Sequence, residues 1–390
     1  MPEYIIIRDT GSTGVPEQAG AAPAVAPQVE AALTFELEEA TLTRAESREI
    51  AQDPDVKMVA PAVPLRLIQP VDDDDDQTAE VEGATNTWGI EAVRAHESEF
   101  DGEGITVAVL DTGIDADHPA FSGMSIVQDN FTDDVDEDTH GHGTHCAGTI
   151  FGQDVNGTRI GVARGIDKAL IAKVLGDGGG TSAVLVDAIL WAIQEGAHVI
   201  SMSLGIDFPG LVDHLEEQGM DIQAATSLAL EGYRANINLF TELSNLIDQM
   251  SNRTVLIAAS GNESHRPQFE IAAGPPAAGT GVISVGALRK AGEGFSVARF
   301  SNDKVNLAAP GVKVKSARLD GGLKSLNGTS MATPHVAGVA ALWAQKQLDA
   351  TGIVNDEILT AQLIASGTLD PLNEGWEADD VGTGIVQAPI

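Results

Sequence analysis

From residue 88 onward, short runs rich in β-branched residues alternate with helical segments, and this alternation constrains the fold more than any other feature of the chain. The runs at 105–110, 169–175, 199–204, 255–259 and 282–285 are apolar throughout instead of at every second residue, and Gly or polar turns flank them. Strands of that kind suit a parallel sheet buried on both faces, with helices as the cover. The expected fold class is therefore α/β, a doubly wound parallel sheet, preceded by a small N-terminal α+β unit.

Within the larger part, Leu228, Leu239, Leu243, Leu246 and Met250 recur near helical spacing, which predicts a long packing helix over 222–250. Residues 1–70 form the smaller unit. A strand is expected at 4–8, and a Gly, Ala and Pro-rich loop at 10–28. After it come a strand at 29–37, a helix at 45–51 and strands at 56–59 and 63–68, in the order β, α, β, β. Thr43 with Glu46 three residues on makes a capping box for that helix. Five consecutive aspartates, Asp72 to Asp76, repel one another, and 71–87 reads as an acidic linker. The main domain is then 88–390, with a helical insertion at about 207–250.

Lys and Arg total 22 against 58 Asp and Glu, a net charge of −36. Such a field repels polyanions, so neither nucleic acid nor an anionic membrane is an expected partner. The excess reads as a solvated, salt-tolerant surface. The single cysteine, Cys146, cannot form an internal disulfide. The opening residues have no basic segment ahead of an apolar run, and no apolar stretch approaches the roughly 20 residues of a membrane span. A cytoplasmic location is expected; oligomeric state is not legible.

Four places carry chemistry. Asp111 ends the apolar run Val107-Ala-Val-Leu110, putting a carboxylate at the carboxyl end of a buried strand, where open α/β sheets assemble sites; it also suits a plain turn. His140, His142, His145 and Cys146 lie in Thr-His-Gly-His-Gly-Thr-His-Cys, which fits either zinc ligands or a general-base histidine at a helix start. With no second ligand cluster downstream, the base reading gains. Ser330 precedes an apolar helical run, as a nucleophile or an ordinary cap. Asn262, after the strand at 255–259, is a turn residue or a donor to a developing oxyanion.

Together, and in this order, the four resemble the subtilisin-like serine peptidases. The matching segments are Val-Leu-Asp-Thr-Gly-Ile-Asp, His-Gly-Thr-His-Cys-Ala-Gly-Thr, Ser-Met-Ser-Leu-Gly, Ala-Ser-Gly-Asn-Glu and Gly-Thr-Ser-Met-Ala-Thr-Pro-His-Val-Ala-Gly. The resemblance covers residues 88–384 and implies Ser330 as nucleophile, His142 as base, Asp111 as its orienting partner and Asn262 in the oxyanion hole. His140 and His145 then become structural. It also implies that Gly178, Gly179 and Gly180 on one side, and Ser203, Leu204 and Gly205 on the other, sandwich a peptide as an added strand. Gly274 would leave room for a large apolar side chain before the scissile bond, and a cis peptide before Pro276 is consistent with the family's Tyr-Pro position.

Three departures shape the expectation. Ala120 and Val155 stand where many members carry calcium ligands, so no metal and no cofactor are expected. The segment from Gly205 to Asn262 is far longer than in compact members, and the surplus would wall one end of the cleft. The N-terminal unit resembles a reduced propeptide, acting as an intramolecular inhibitor. The implied function is a serine endopeptidase made as a zymogen and acting on polypeptide. A peptide macrocyclase of the same superfamily and a permanently autoinhibited binding protein use the same constellation.

Overall fold

The structure is a computed structural model that describes residues 2–10, 35–71, 85–206, 208–250 and 253–390. The loop expected at 11–28 and the five-aspartate run lie outside the described residues.

The N-terminal unit comprises strands β1 (Glu3–Asp9) and β2 (Phe35–Thr41), helix α1 (Arg44–Ile50), and strands β3 (Val56–Pro61) and β4 (Pro64–Leu67). Strand β1 is central and antiparallel to both β2 and β3. Its Ile5, Ile6 and Ile7 are fully buried. Helix α1 begins as expected, with Thr43 and Glu46 forming a reciprocal capping box. Strand β2 starts six residues later than the apolar pattern predicts: Glu36, Glu38 and Glu39 belong to it, because pairing along the whole of apolar β1 supports a strand whose own side chains are largely polar. Residues 29–34 of the expected strand lie outside the described residues.

The main body begins with α2 (Trp88–Ala92), β5 (Thr106–Asp111), β6 (Ser125–Asn130), α3 (His142–Phe151), β7 (Lys168–Lys173), β8 (Gly180–Thr181) and α4 (Ser182–Gln194). It continues with β9 (Val199–Met202), β10 (Leu204–Gly205), α5 (Phe208–Glu217), α6 (Ile222–Met250), β11 (Val255–Ala259), β12 (Val282–Ala291), β13 (Gly294–Val297) and β14 (Leu307–Pro310). Strands β15 (Val314–Ala317) and β16 (Leu323–Leu326) and helices α7 (Thr329–Thr351), α8 (Asp356–Ser366) and α9 (Ala378–Val381) complete it.

The main sheet runs β13-β12-β11-β9-β5-β7-β6, with β14 also on β12; every pairing is parallel except β12 with β13. Alternate residues of one strand enter two different cores. Val107, Val109, Ile171 and Ile257 face the side covered by α3, α7 and α8. Ala108, Leu110, Leu170 and Leu256 face the side covered by α4 and α6, where Ile5 and Ile7 of the N-terminal unit also pack. This two-sided burial is what the unbroken apolar runs encode.

Strand β4 leaves the N-terminal sheet and lies between β8 and β10, antiparallel to both. The expected long helix is α6, on which β3 rests. Asn236 of α6 donates to the carbonyl of Pro61 at 3.0 Å, and Arg44 pairs with Glu231. The peptide between Pro275 and Pro276 is cis. Among the described residues, no helix is long and apolar enough to cross a membrane.

Candidate active site

Three strand ends and two helix starts meet at the carboxyl edge of the sheet. Asp111 ends β5, fully buried, and His142 opens α3. The Nδ1 atom of His142 lies 2.8 and 3.0 Å from the two carboxylate oxygens of Asp111, so Nδ1 carries the proton and donates it there. Burial alone would lower the pKa of His142, but the Asp111 charge and this hydrogen bond leave it well above its ordinary value.

Helix α3 has no side-chain cap at Gly141, which sits in the left-handed region at φ +86°. Its capping falls instead to Asp138, a buried carboxylate that sequence reading missed in a run of acidic residues. Asp138 accepts from the backbone N–H of His140, Gly141 and Thr144 and from the hydroxyls of Thr112 and Thr144, at 2.7–3.0 Å. Thr112, next to Asp111, in turn accepts from Gly143 N–H at 3.0 Å. The two strand and helix residues that meet are thereby locked together by their neighbours. A pattern of Asp four residues before His is the only sequence signal for this.

Ser330 is the second residue of α7. Pro334 has no N–H to close the helical bond to the Ser330 carbonyl. That carbonyl is taken up instead by the Ser203 hydroxyl at 3.1 Å and the Cys146 thiol at 3.4 Å. The Cys146 sulfur lies 3.8 Å from Nδ1 of His142, and burial keeps the thiol's pKa raised. The side chains of Asp111, His142 and Cys146 come within 4.8 Å of one another, but they meet around one imidazole proton and a thiol held protonated, a hydrogen-bonded cluster. The zinc reading of the histidine run fails on geometry. Nε2 of His145 faces the carbonyls of Val314 and Lys324, at 2.9 and 3.0 Å, and burial lowers its pKa to about 3. His140 is exposed. Ala120 and Val155 are buried in the apolar core.

Asn262 is oriented by its own network. Its Oδ1 accepts from the backbone N–H and hydroxyl of Thr329, which turns Nδ2 toward the cleft, where it donates to the carbonyl of Gln69 at 2.9 Å. Asn302, also missed from sequence, braces this loop by accepting from Glu263 and Ser264 N–H. The cleft walls are Leu204 and Gly205, paired with Leu67 and Arg66, and Gly180 and Thr181, paired with Leu65 and Pro64. Gly178 is at the exposed tip of a turn closed between Gly176 and Gly179. Gly179, at φ +84°, runs so close to β4 that a Cβ there would stand 2.8 Å from the Leu65 carbonyl. Gly274 lines a cavity of about 330 Å³ beside Ile68 and Gln69.

Residues 102–366 match the family model described as the subtilase family. The chain is a subtilase. It is 34% identical over 270 residues to an intracellular serine protease of Paenibacillus polymyxa, covering 66% of this chain and 72% of that one. Identity to the major intracellular serine protease of Bacillus subtilis is 34% over 265 residues, 65% of this chain and 73% of that one. The crystal structure of a cold adapted subtilisin-like serine proteinase superposes with a TM-score of 0.54 at 28% identity, covering 78% of this chain and 97% of that one. This subtilase is accordingly a subtilisin-like serine protease.

Proposed function

We propose that the chain is a serine endopeptidase made as a zymogen, with residues 1–70 as inhibitor, 71–87 as linker and 88–390 as catalytic domain. Ser330 attacks the scissile carbonyl, His142 accepts its proton and later gives it to the leaving amine, and Asp111 holds the imidazole tautomer and stabilises the imidazolium. Asn262 donates to the oxyanion. An acyl-enzyme on Ser330 is then hydrolysed.

The observation that carries this reading is the path of β4. It runs between β8 and β10 as an added strand, the way an extended substrate is recognised mainly through its backbone. The next carbonyl, that of Ile68, comes 3.2 Å from Ser330 Oγ. A substrate-like strand supplied by the chain itself supports both a polypeptide substrate and intramolecular inhibition. Ile68 is buried at the apolar cavity floored by Gly274, which supports a large apolar residue before the scissile bond. A cytoplasmic location is supported by relatives named as intracellular proteases.

The test is intact mass of the purified wild type beside Ser330→Ala. The expected result is loss of N-terminal mass together with casein hydrolysis in the wild type, and neither in Ser330→Ala. Processing that persists in Ser330→Ala, shown free of other proteases, would overturn the reading.

A further inference from the structure

We infer that the helical hairpin α5–α6 selects substrates: Phe208 sets the upper size of the side chain accepted before the scissile bond. The inference rests on the Ser330-centred reading above. The cavity beside Gly274 is closed on its outer side by Phe208 and Pro209, the first residues of α5. The Phe208 ring is held edge to face by Tyr233 of α6, with centroids 5.6 Å apart. Tyr233 is itself fixed by its hydroxyl, which donates to the Ala273 carbonyl at 3.4 Å, next to Gly274. A Cβ placed on Gly274 would meet that hydroxyl at 3.5 Å, so Tyr233 backs the cavity floor while Phe208 forms its wall.

The occupant agrees with the size limit. Ile68 is the residue whose carbonyl faces Ser330, and its Cδ1 lies 3.5 Å from where a Cβ on Gly205 would stand, at the same cavity. A branched aliphatic side chain therefore fills the space that Phe208 leaves. Leucine, isoleucine and methionine fit such a pocket; tryptophan and tyrosine meet the Phe208 ring.

The test measures kcat/KM of the full-length protease on peptides that differ only in this residue. Phe208→Ala is expected to raise the Trp-to-Leu ratio about tenfold, the scale on which pocket volume discriminates. Phe208→Trp, which retains an aromatic partner for Tyr233, is expected to lower it, and Tyr233→Phe to leave it unchanged. A ratio that stays within twofold of wild type in both Phe208 variants overturns the inference while Ser330-dependent hydrolysis stands. Hydrolysis that survives Ser330→Ala overturns the reading beneath it instead.

Discussion

The hydroxyl of Ser330 is turned to the carbonyl of Ile68, 3.2 Å away, and Nε2 of His142 is left buried without a hydrogen-bond partner. The second carbonyl within reach of the hydroxyl, that of Ser203, lies at 3.3 Å. Asn262 meanwhile is engaged by Gln69, one residue beyond Ile68. Nucleophile and oxyanion donor thus hold the carbonyls of two successive residues, whereas attack requires both to act on one. The strand in the cleft is substrate-like in its backbone pairing and unproductive at the bond.

If Asp111, His142 and Ser330 act as one unit, Ser330→Ala and His142→Ala each lower kcat by about 10⁶-fold, and the double variant is hardly worse. Steady-state casein hydrolysis by the three proteins measures this. Losses that multiply would argue against a shared mechanism.

Cys146 lies beside the imidazole and touches the Ser330 carbonyl, so a mercurial on its sulfur displaces both His142 and Ser330. Time-dependent inhibition is expected in the wild type and resistance in Cys146→Val, followed by residual activity against labelled thiol. Undiminished activity at complete labelling would contradict this.

Removing the Asp138 carboxylate strands the donors that it satisfies at the start of α3. Asp138→Ala is expected to cost about 3 kcal/mol, the scale of buried donors left unpaired, and to lower kcat because His142 is the first residue of that helix. Urea unfolding and kcat are the measurements; an unchanged kcat would separate the cap from the catalytic geometry.

Burial holds His145 near a pKa of about 3, and His198 and His335 near about 4, against an ordinary 6.5. The unfolded chain binds these protons near pH 6.5 and the folded chain does not, so their stabilisation is complete above that pH and is lost as pH falls toward 4. His142, raised, works in the opposite sense: its contribution is present at low pH and fades as pH rises through its folded pKa. With three groups against one, the melting temperature is expected to fall by about 5 °C or more from pH 7 to pH 5. Calorimetry across that range should also show a shallower slope for His335→Gln; identical slopes would assign the acid sensitivity elsewhere.

Strand positions in the main sheet and the long helix α6 were legible because two-sided burial and a single apolar helix face leave unbroken and 3.6-periodic patterns. The four site residues were legible because each closes or opens such an element. Strand β2 was misplaced because its partners, not its own side chains, make it a strand. Asp138 was hidden because one buried carboxylate looks like its solvated neighbours until the fold brings amides to it. The position of β4 was foreseen, but which carbonyl each donor holds depends on backbone angles that no pattern records. The double duty of α6, seating β3 and backing the cavity through Tyr233, is likewise a tertiary fact.

Strand β4 also has a colloidal role. Strands β8 and β10 are short sheet edges set one strand apart, and while β4 lies between them their backbone groups are paired. Once it is withdrawn, the same groups form a slot able to take any extended backbone, including one offered by another copy of the protein. The charge of −36 makes that encounter repulsive between copies while leaving the slot open to neutral or basic peptides.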